Sequence, residues 1–148
     1  MFPENHYYYK LDIQEDISLQ NVSVVFARPS EQAATSPIVF STPPNIITPL
    51  PGTIFSRASD DVIVTFEADS ITPRSSGLRE TPCSRTVFPS DDMTTTMILP
   101  AATNNCQAYE VTLSVARSWE STLDPALHQE WLHTVAYIHR EVAVQYMP

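Results

Sequence analysis

Residues 118–142 read SWESTLDPALHQEWLHTVAYIHREV, and the fold turns on how this stretch is read. Leu127, Trp131, Val135, Ile138, Val142 and, just beyond, Tyr146 recur at spacings of 4, 4, 3, 4 and 4. Apolar residues three and four apart make one stripe on an α-helix. Ser121, Thr122 or Asp124 can cap such a helix, and Pro125 suits its first position. His128, Gln129, Glu130, His133, Arg140 and Glu141 lie away from the centre of the stripe. The pattern predicts an amphipathic helix over 122–146. At 1.5 Å per residue its twenty or so residues would run roughly 30 Å, close to the width of several strands spaced about 4.8 Å apart. Such a helix can cover a whole sheet, either its own or that of a partner subunit.

Upstream, the chain reads as β-structure. YYYKLDI (7–13) and ISLQNVSVVFARP (17–29) alternate apolar and polar residues and predict an N-terminal hairpin within 1–28. Six prolines fall between Pro29 and Pro51. Proline removes a ladder donor and keeps to edges and turns, so 29–52 reads as an extended apolar arm lying on its own domain or on a neighbour. Residues 53–119 carry the main antiparallel strands. Thr53–Arg57 and Val62–Ala68 read as a hairpin around ASDD, and 72–84 as a loop. RTVF (85–88), TTTMIL (94–99) and QAYEVTLSVARSW (107–119) follow as strands. In the last, Tyr109, Val111, Leu113 and Val115 share one face, while Glu110, Thr112, Ser114 and Ala116 share the other. One buried and one wet face is the habit of antiparallel sheets.

Composition narrows the function. The 148 residues fit one domain with a core of its own. Net charge is −9, with one lysine, Lys10, among eight basic residues. Residues 1–70 sum to −6, 71–117 to zero and 118–148 to −3. Wholesale phosphate neutralisation needs clustered cations, so nucleic acid would find only the neutral middle, with Arg74, Arg79, Arg85 and Arg117. The two glycines, Gly52 and Gly77, form no phosphate-binding loop. The N-terminus has no basic and apolar tandem, so no signal peptide is expected, and no apolar run is long enough to span a membrane.

Candidate chemistry is sparse. Glu130 and His133 have the spacing of a di-metal carboxylate ligand pair, but no second helix supplies the matching set. Asp60-Asp61 and Asp91-Asp92 sit in turns, where aspartate bonds to nearby backbone. Cys83 and Cys106 lack zinc-site spacing; a disulfide between them stays open beside the plainer reading of two small half-buried residues. Tyr7, Tyr8 and Tyr9 suit stacking or core packing. No metal, cofactor or catalytic group is expected.

Residues 94–143, with the strand sequence QAYEVTLSV and the segment after it, resemble the end of the coat proteins of single-stranded RNA phages. The resemblance implies two consecutive antiparallel strands and a helical region that crosses onto the sheet of a second subunit. It further implies an inner sheet face that meets RNA, here formed by Thr94, Thr96, Glu110, Thr112 and Ser114, with Arg85 and Arg117 as the cations of the neutral middle.

The sequence therefore predicts a mainly β protein: an antiparallel sheet or sandwich of seven or eight strands with one C-terminal amphipathic α-helix. The expected function is a non-enzymatic, self-assembling virion component (coat, decoration or tail subunit) made in the host cytoplasm. Its expected partners are copies of itself, other virion proteins and RNA, with no membrane. Leu127, Trp131, Val135, Ile138 and Val142 would make the helix contacts. The alternative is a β-sandwich binding module that recognises a protein or glycan through its N-terminal tyrosines. A metal or hydrolytic enzyme using His128, Glu130 and His133 ranks third.

Overall fold

The computed structural model describes residues 22–27, 29–30, 32–38, 44–69, 73–91, 93–121, 124 and 134–148. Within them the chain is mainly β, with ten strands in three sheets. The strands are β1 (Val22–Phe26), β2 (Ala34–Ile38), β3 (Ile46–Thr48), β4 (Ile54–Ser56), β5 (Val62–Phe66), β6 (Ser75–Thr81), β7 (Thr86–Val87), β8 (Thr96–Leu99), β9 (Glu110–Ser121) and β10 (Thr134–Met147). A single 3-10 turn, Ala101–Thr103, is the one helical element among the described residues.

The predicted C-terminal helix does not form over residues 134–146. Residues 134–147 form β10, which pairs antiparallel with β9 from Thr134↔Ser121 to Gln145↔Glu110. The misreading has a physical cause. A spacing of four is also two β periods, so Ile138, Val142 and Tyr146 share a face in either conformation. Val144 separates the two. In a helix it sits roughly 200° round from Val142, at 100° per residue, whereas in a strand it joins the same face. Val142, Val144 and Tyr146 are all buried together. Thr134, Val135, Tyr137, Ile138, Val142, Val144 and Tyr146 are β-branched or aromatic, types that fit a pleated surface. Leu127 and Trp131 lie outside the described residues.

Five strands in the order β4-β10-β9-β6-β7 make the main sheet, and β3-β5-β8 make the second. Every pairing is antiparallel except β4 with β10. The two sheets share one core. Val62, Val64 and Phe66 of β5 and Met97 and Leu99 of β8 meet Leu78, Val111, Leu113, Val115, Val142, Val144 and Tyr146. Each fully buried aliphatic or aromatic side chain contributes about 1.5–3 kcal/mol, so alternation on five strands is enough to hold the layers together.

Other expectations shift as well. The segment 72–84, read as a loop, contains β6, a central strand beside β9. Its inward residues are Ser76, Leu78 and Glu80, all buried; two of the three are polar, which hid the strand. The expected 53–71 hairpin does not form, because β4 joins the main sheet and β5 the second. Strand β1 pairs with β2, drawn from the proline-rich arm, while the other half of the expected hairpin (7–13) lies outside the described residues. Pro37 falls in β2 and pairs with Ser23. β3, also from the arm, joins β5 through a register shift. Asp124 fastens β2 to the end of β9: Thr35 N–H donates to its carboxylate at 2.8 Å, and its own N–H donates to Ser36 Oγ at 2.9 Å.

Candidate binding face on the five-stranded sheet

Because β6, β9 and β10 turn alternate residues inward, the others form a continuous outer face. The registers align it in rows: Ser75, Ser118 and Tyr137; Gly77, Ala116 and His139; Arg79, Ser114 and Glu141; Thr81, Thr112 and Ala143. Phe88, just beyond β7, lays its ring over Gly77, with Cε1 3.4 Å from where a Cβ would stand. One row therefore runs aromatic, small, small, imidazole. The Phe88 and His139 backbones stand three strand spacings apart, roughly 14 Å; the Phe88 ring covers Gly77, and only the small Ala116 side chain lies between that ring and His139. Tyr137 raises the second wall, its ring 6.4 Å from that of His139. Phe88 is 75% exposed and Tyr137 66%, with Val135 beside them at 45%. The floor is lined by hydroxyls, and Ser75 Oγ lies 2.6 Å from Ser118 Oγ. Charges fringe it: Arg74 pairs with Glu120 at 3.2 Å, and His139 Nε2 lies 3.7 Å from Glu141 Oε1.

Behind this face two buried polar clusters set its position. In the first, Arg85 forks onto Glu80, with Nε 2.9 Å from Oε1 and Nη2 2.6 Å from Oε2. Tyr146 donates its hydroxyl to Oε2 of the same carboxylate. Arg85 Nη1 reaches Pro100 O at 3.0 Å, and a disulfide joins Cys83 to Cys106 alongside. Together these hold the β6–β7 hairpin, and so Phe88, against the loop after β8. Hydrogen bonding to Glu80 raises the Arg85 pKa above its ordinary value, outweighing the opposing cost of burial. Burial, reinforced by the Glu80 carboxylate, pushes the Tyr146 phenol well above its ordinary 10. In the second cluster Arg117 pairs with Asp69 at 2.7 Å, donates to Thr94 O at 2.9 Å and stacks 4.6 Å from the centre of the Phe66 ring.

The structure separates the residues assigned to an RNA-facing surface. Thr112 and Ser114 lie on the outer face of the main sheet, whereas Thr96 is on β8 in the other sheet. Thr94 precedes β8 and offers its carbonyl to Arg117. Arg117 is 1% exposed, and Arg85 is engaged with Glu80. Val135 projects from the outer face, Ile138 is half-buried and Val142 is in the core, so the three do not form one stripe. The proposed subunit contacts required a helix that β10 replaces, and the virion-subunit reading is withdrawn with it. Glu130, His133, His128 and the N-terminal tyrosines fall outside the described residues.

Sequence reading missed Phe88, Tyr137 and His139. The signal was the parity of 135–145, hidden by the helical reading, together with Gly77 inside an apparent loop. No family model, curated protein or solved structure matches this chain. Among the described residues no helix is long and apolar enough to cross a membrane.

Proposed function

We propose that this chain is a non-enzymatic binding module, a β-sandwich that takes a protein partner on the outer face of its five-stranded sheet. The observation that carries this reading is the row Phe88, Gly77, Ala116, His139, with Tyr137 and Val135 beside it. Large apolar side chains held exposed on one rigid face mark interaction surfaces, and aromatic side chains anchor interface hot spots. A strand scaffold holds these anchors in fixed register, which lowers the ordering cost of binding. A second reading, a glycan ligand, is favoured by the hydroxyl-lined floor between two aromatic walls.

The test uses the oxidised chain as bait against a displayed random-peptide library and a printed glycan array. Selected binders should be lost with Phe88→Ser and with Tyr137→Ser, and kept with Ile63→Ser, an exposed residue of the other sheet. Peptide hits support the first reading and glycan hits the second. Binders indifferent to both aromatic changes, or no binders at all, would remove the outer face as the site. Light scattering of the same sample, against a chain mass of 16.6 kDa, reports whether the partner is a second copy.

A further inference from the structure

We propose that the Cys83–Cys106 disulfide closes a metal site: on reduction by a dithiol, the two thiols and Glu80 form a three-ligand site for zinc. The Cys83 and Cys106 sulfurs and a Glu80 carboxylate oxygen lie within 4.8 Å of one another. Cys106 and Glu80 are buried, at 2% and 0% exposure, and Cys83 is half-buried. Two sulfurs and one oxygen suit zinc, which takes thiolate at about 2.3 Å and carboxylate at about 2.0–2.2 Å. Tetrahedral bonds of those lengths put the ligand atoms about 4 Å apart, so the two sulfurs must part once their bond is cut, and the cluster, already within 4.8 Å, needs only a small adjustment to close on one ion.

The carboxylate has room for the metal. Oε2 accepts from both Arg85 and Tyr146, while Oε1 accepts only from Arg85 Nε among the described residues. A carboxylate oxygen has two lone pairs, so Oε1 keeps one for a cation. Tyr146 and Arg85 act as outer-shell partners that fix the ligand, as metal-binding carboxylates usually require. Charge also balances. Two thiolates and Glu80 carry three negative charges, which one divalent ion and the Arg85 guanidinium cancel.

The chemistry closes without further reagents. The dithiol gives two electrons and two protons to the S–S bond and becomes a disulfide itself, leaving Cys83 and Cys106 as thiols. Zinc binding then expels those two protons to solvent, since thiolate is the ligand. In the oxidised chain neither sulfur is available, so the same three residues hold a staple or a metal, never both. This proposal is independent of any ligand on the outer face.

The full chain is reduced with a phosphine under argon, cleared of metal and titrated with Zn²⁺, with uptake counted by native mass spectrometry. Co²⁺ is added in parallel for its thiolate charge-transfer absorption. Expected are one ion per reduced chain, none per oxidised chain, and a rise in Tm of the reduced form with zinc. Cys83→Ser and Cys106→Ser should abolish the thiolate absorption pair. Tyr146→Phe, which leaves all three ligands, should weaken binding about tenfold, and Glu80→Gln more. No uptake by the reduced chain overturns the proposal. So does uptake unchanged in Glu80→Gln, which would mean an unfolded chain chelating through cysteine alone.

Discussion

Two arginine–carboxylate pairs sit inside this β fold, and they are built to different plans. Glu80 and Arg85 are five positions apart, in one hairpin, and their cluster is backed by a disulfide. Arg117 and Asp69 come from distant parts of the chain, and no covalent bond among the described residues backs them. Both arginines bridge several segments. Arg85 ties the hairpin to the loop after β8 and to β10; Arg117 ties β9 to Ser76 of β6, to Thr94 just before β8 and to the segment after β5. The difference teaches where the fold is most easily broken. A local pair with a covalent backup can lose one member and keep its geometry, whereas a long-range pair is its own clamp. Arginine suits both places because a planar guanidinium offers five donors and a stacking face. That use of arginine accounts for two cations in a chain with a single lysine.

The largest effect should come from the unbacked clamp. Arg117→Ala takes the guanidinium away from the buried Asp69 carboxylate, and breaking one member of a buried pair costs about 3–5 kcal/mol. Urea unfolding of the oxidised protein should show it as a lower midpoint with little change in slope. Second comes the staple. Its sequence separation is 23 residues, for which loop entropy alone gives about 3.5 kcal/mol. Cys83→Ser with Cys106→Ser should lower stability by about that much if the Glu80 cluster keeps its geometry. A clearly greater loss would show that the cluster depends on the disulfide, and the contrast between the two pairs would shrink.

Much of the β-structure was legible and the closing element was not, for reasons visible in single residues. Val62, Val64 and Phe66, like Val111, Leu113 and Val115, alternate cleanly, and their strands were read correctly. β6 was missed because Ser76 and Glu80 face inward, so its buried side is polar. β10 is hidden because Leu127, Trp131, Val135, Ile138 and Val142 recur at helical spacings of 4, 4, 3 and 4, against which the single strand-like signal is Val144 beside Val142 and Tyr146. Pairing was less legible still. The ASDD turn looks like a hairpin, but it carries the chain from one sheet to the other. Asp60 holds the turn by accepting from Ser56 N–H at 2.7 Å, and Asp61 accepts from Ala101 N–H at 2.7 Å. Single-chain periodicity records which residues face inward and not which strand lies next door. The candidate face needed register, which is why Phe88, Gly77, Ala116 and His139 could not be assembled from the sequence.

The backed pair should also answer to pH. Tyr146 holds its proton in the folded state well above 10. Its contribution is therefore complete below pH 10 and is lost as pH rises from there toward the folded value. In that window the folded chain binds one proton more than the unfolded chain, so stability falls by about 1.4 kcal/mol per pH unit from this group. Absorbance at 295 nm should show one of the six tyrosines ionising only as the protein unfolds. Tyr146→Phe should cost about 1.5–3 kcal/mol near neutral pH, the range for a hydrogen bond to a charged group. It should also flatten the decline above pH 10. An unchanged slope in the variant would mean that burial and the Glu80 hydrogen bond do not hold that proton above its ordinary range.

The smallest expected effect carries the functional half of the comparison. The buried pairs hold the sheet, and the outer face merely rests on it. Phe88 lies over Gly77, and at 75% exposure it has little burial to lose. Phe88→Ser and Tyr137→Ser should each change unfolding free energy by no more than about 0.5 kcal/mol, as surface substitutions do. Gly77→Ala should be similarly mild, because its added Cβ would meet Phe88 at ordinary contact distance. If these variants fold normally and lose the selected binder, the exposed aromatics are maintained for binding and not for packing. If either aromatic change destabilises the protein by several times that amount, the ring is a lid on the sheet, and the outer face belongs with the buried clusters as structure.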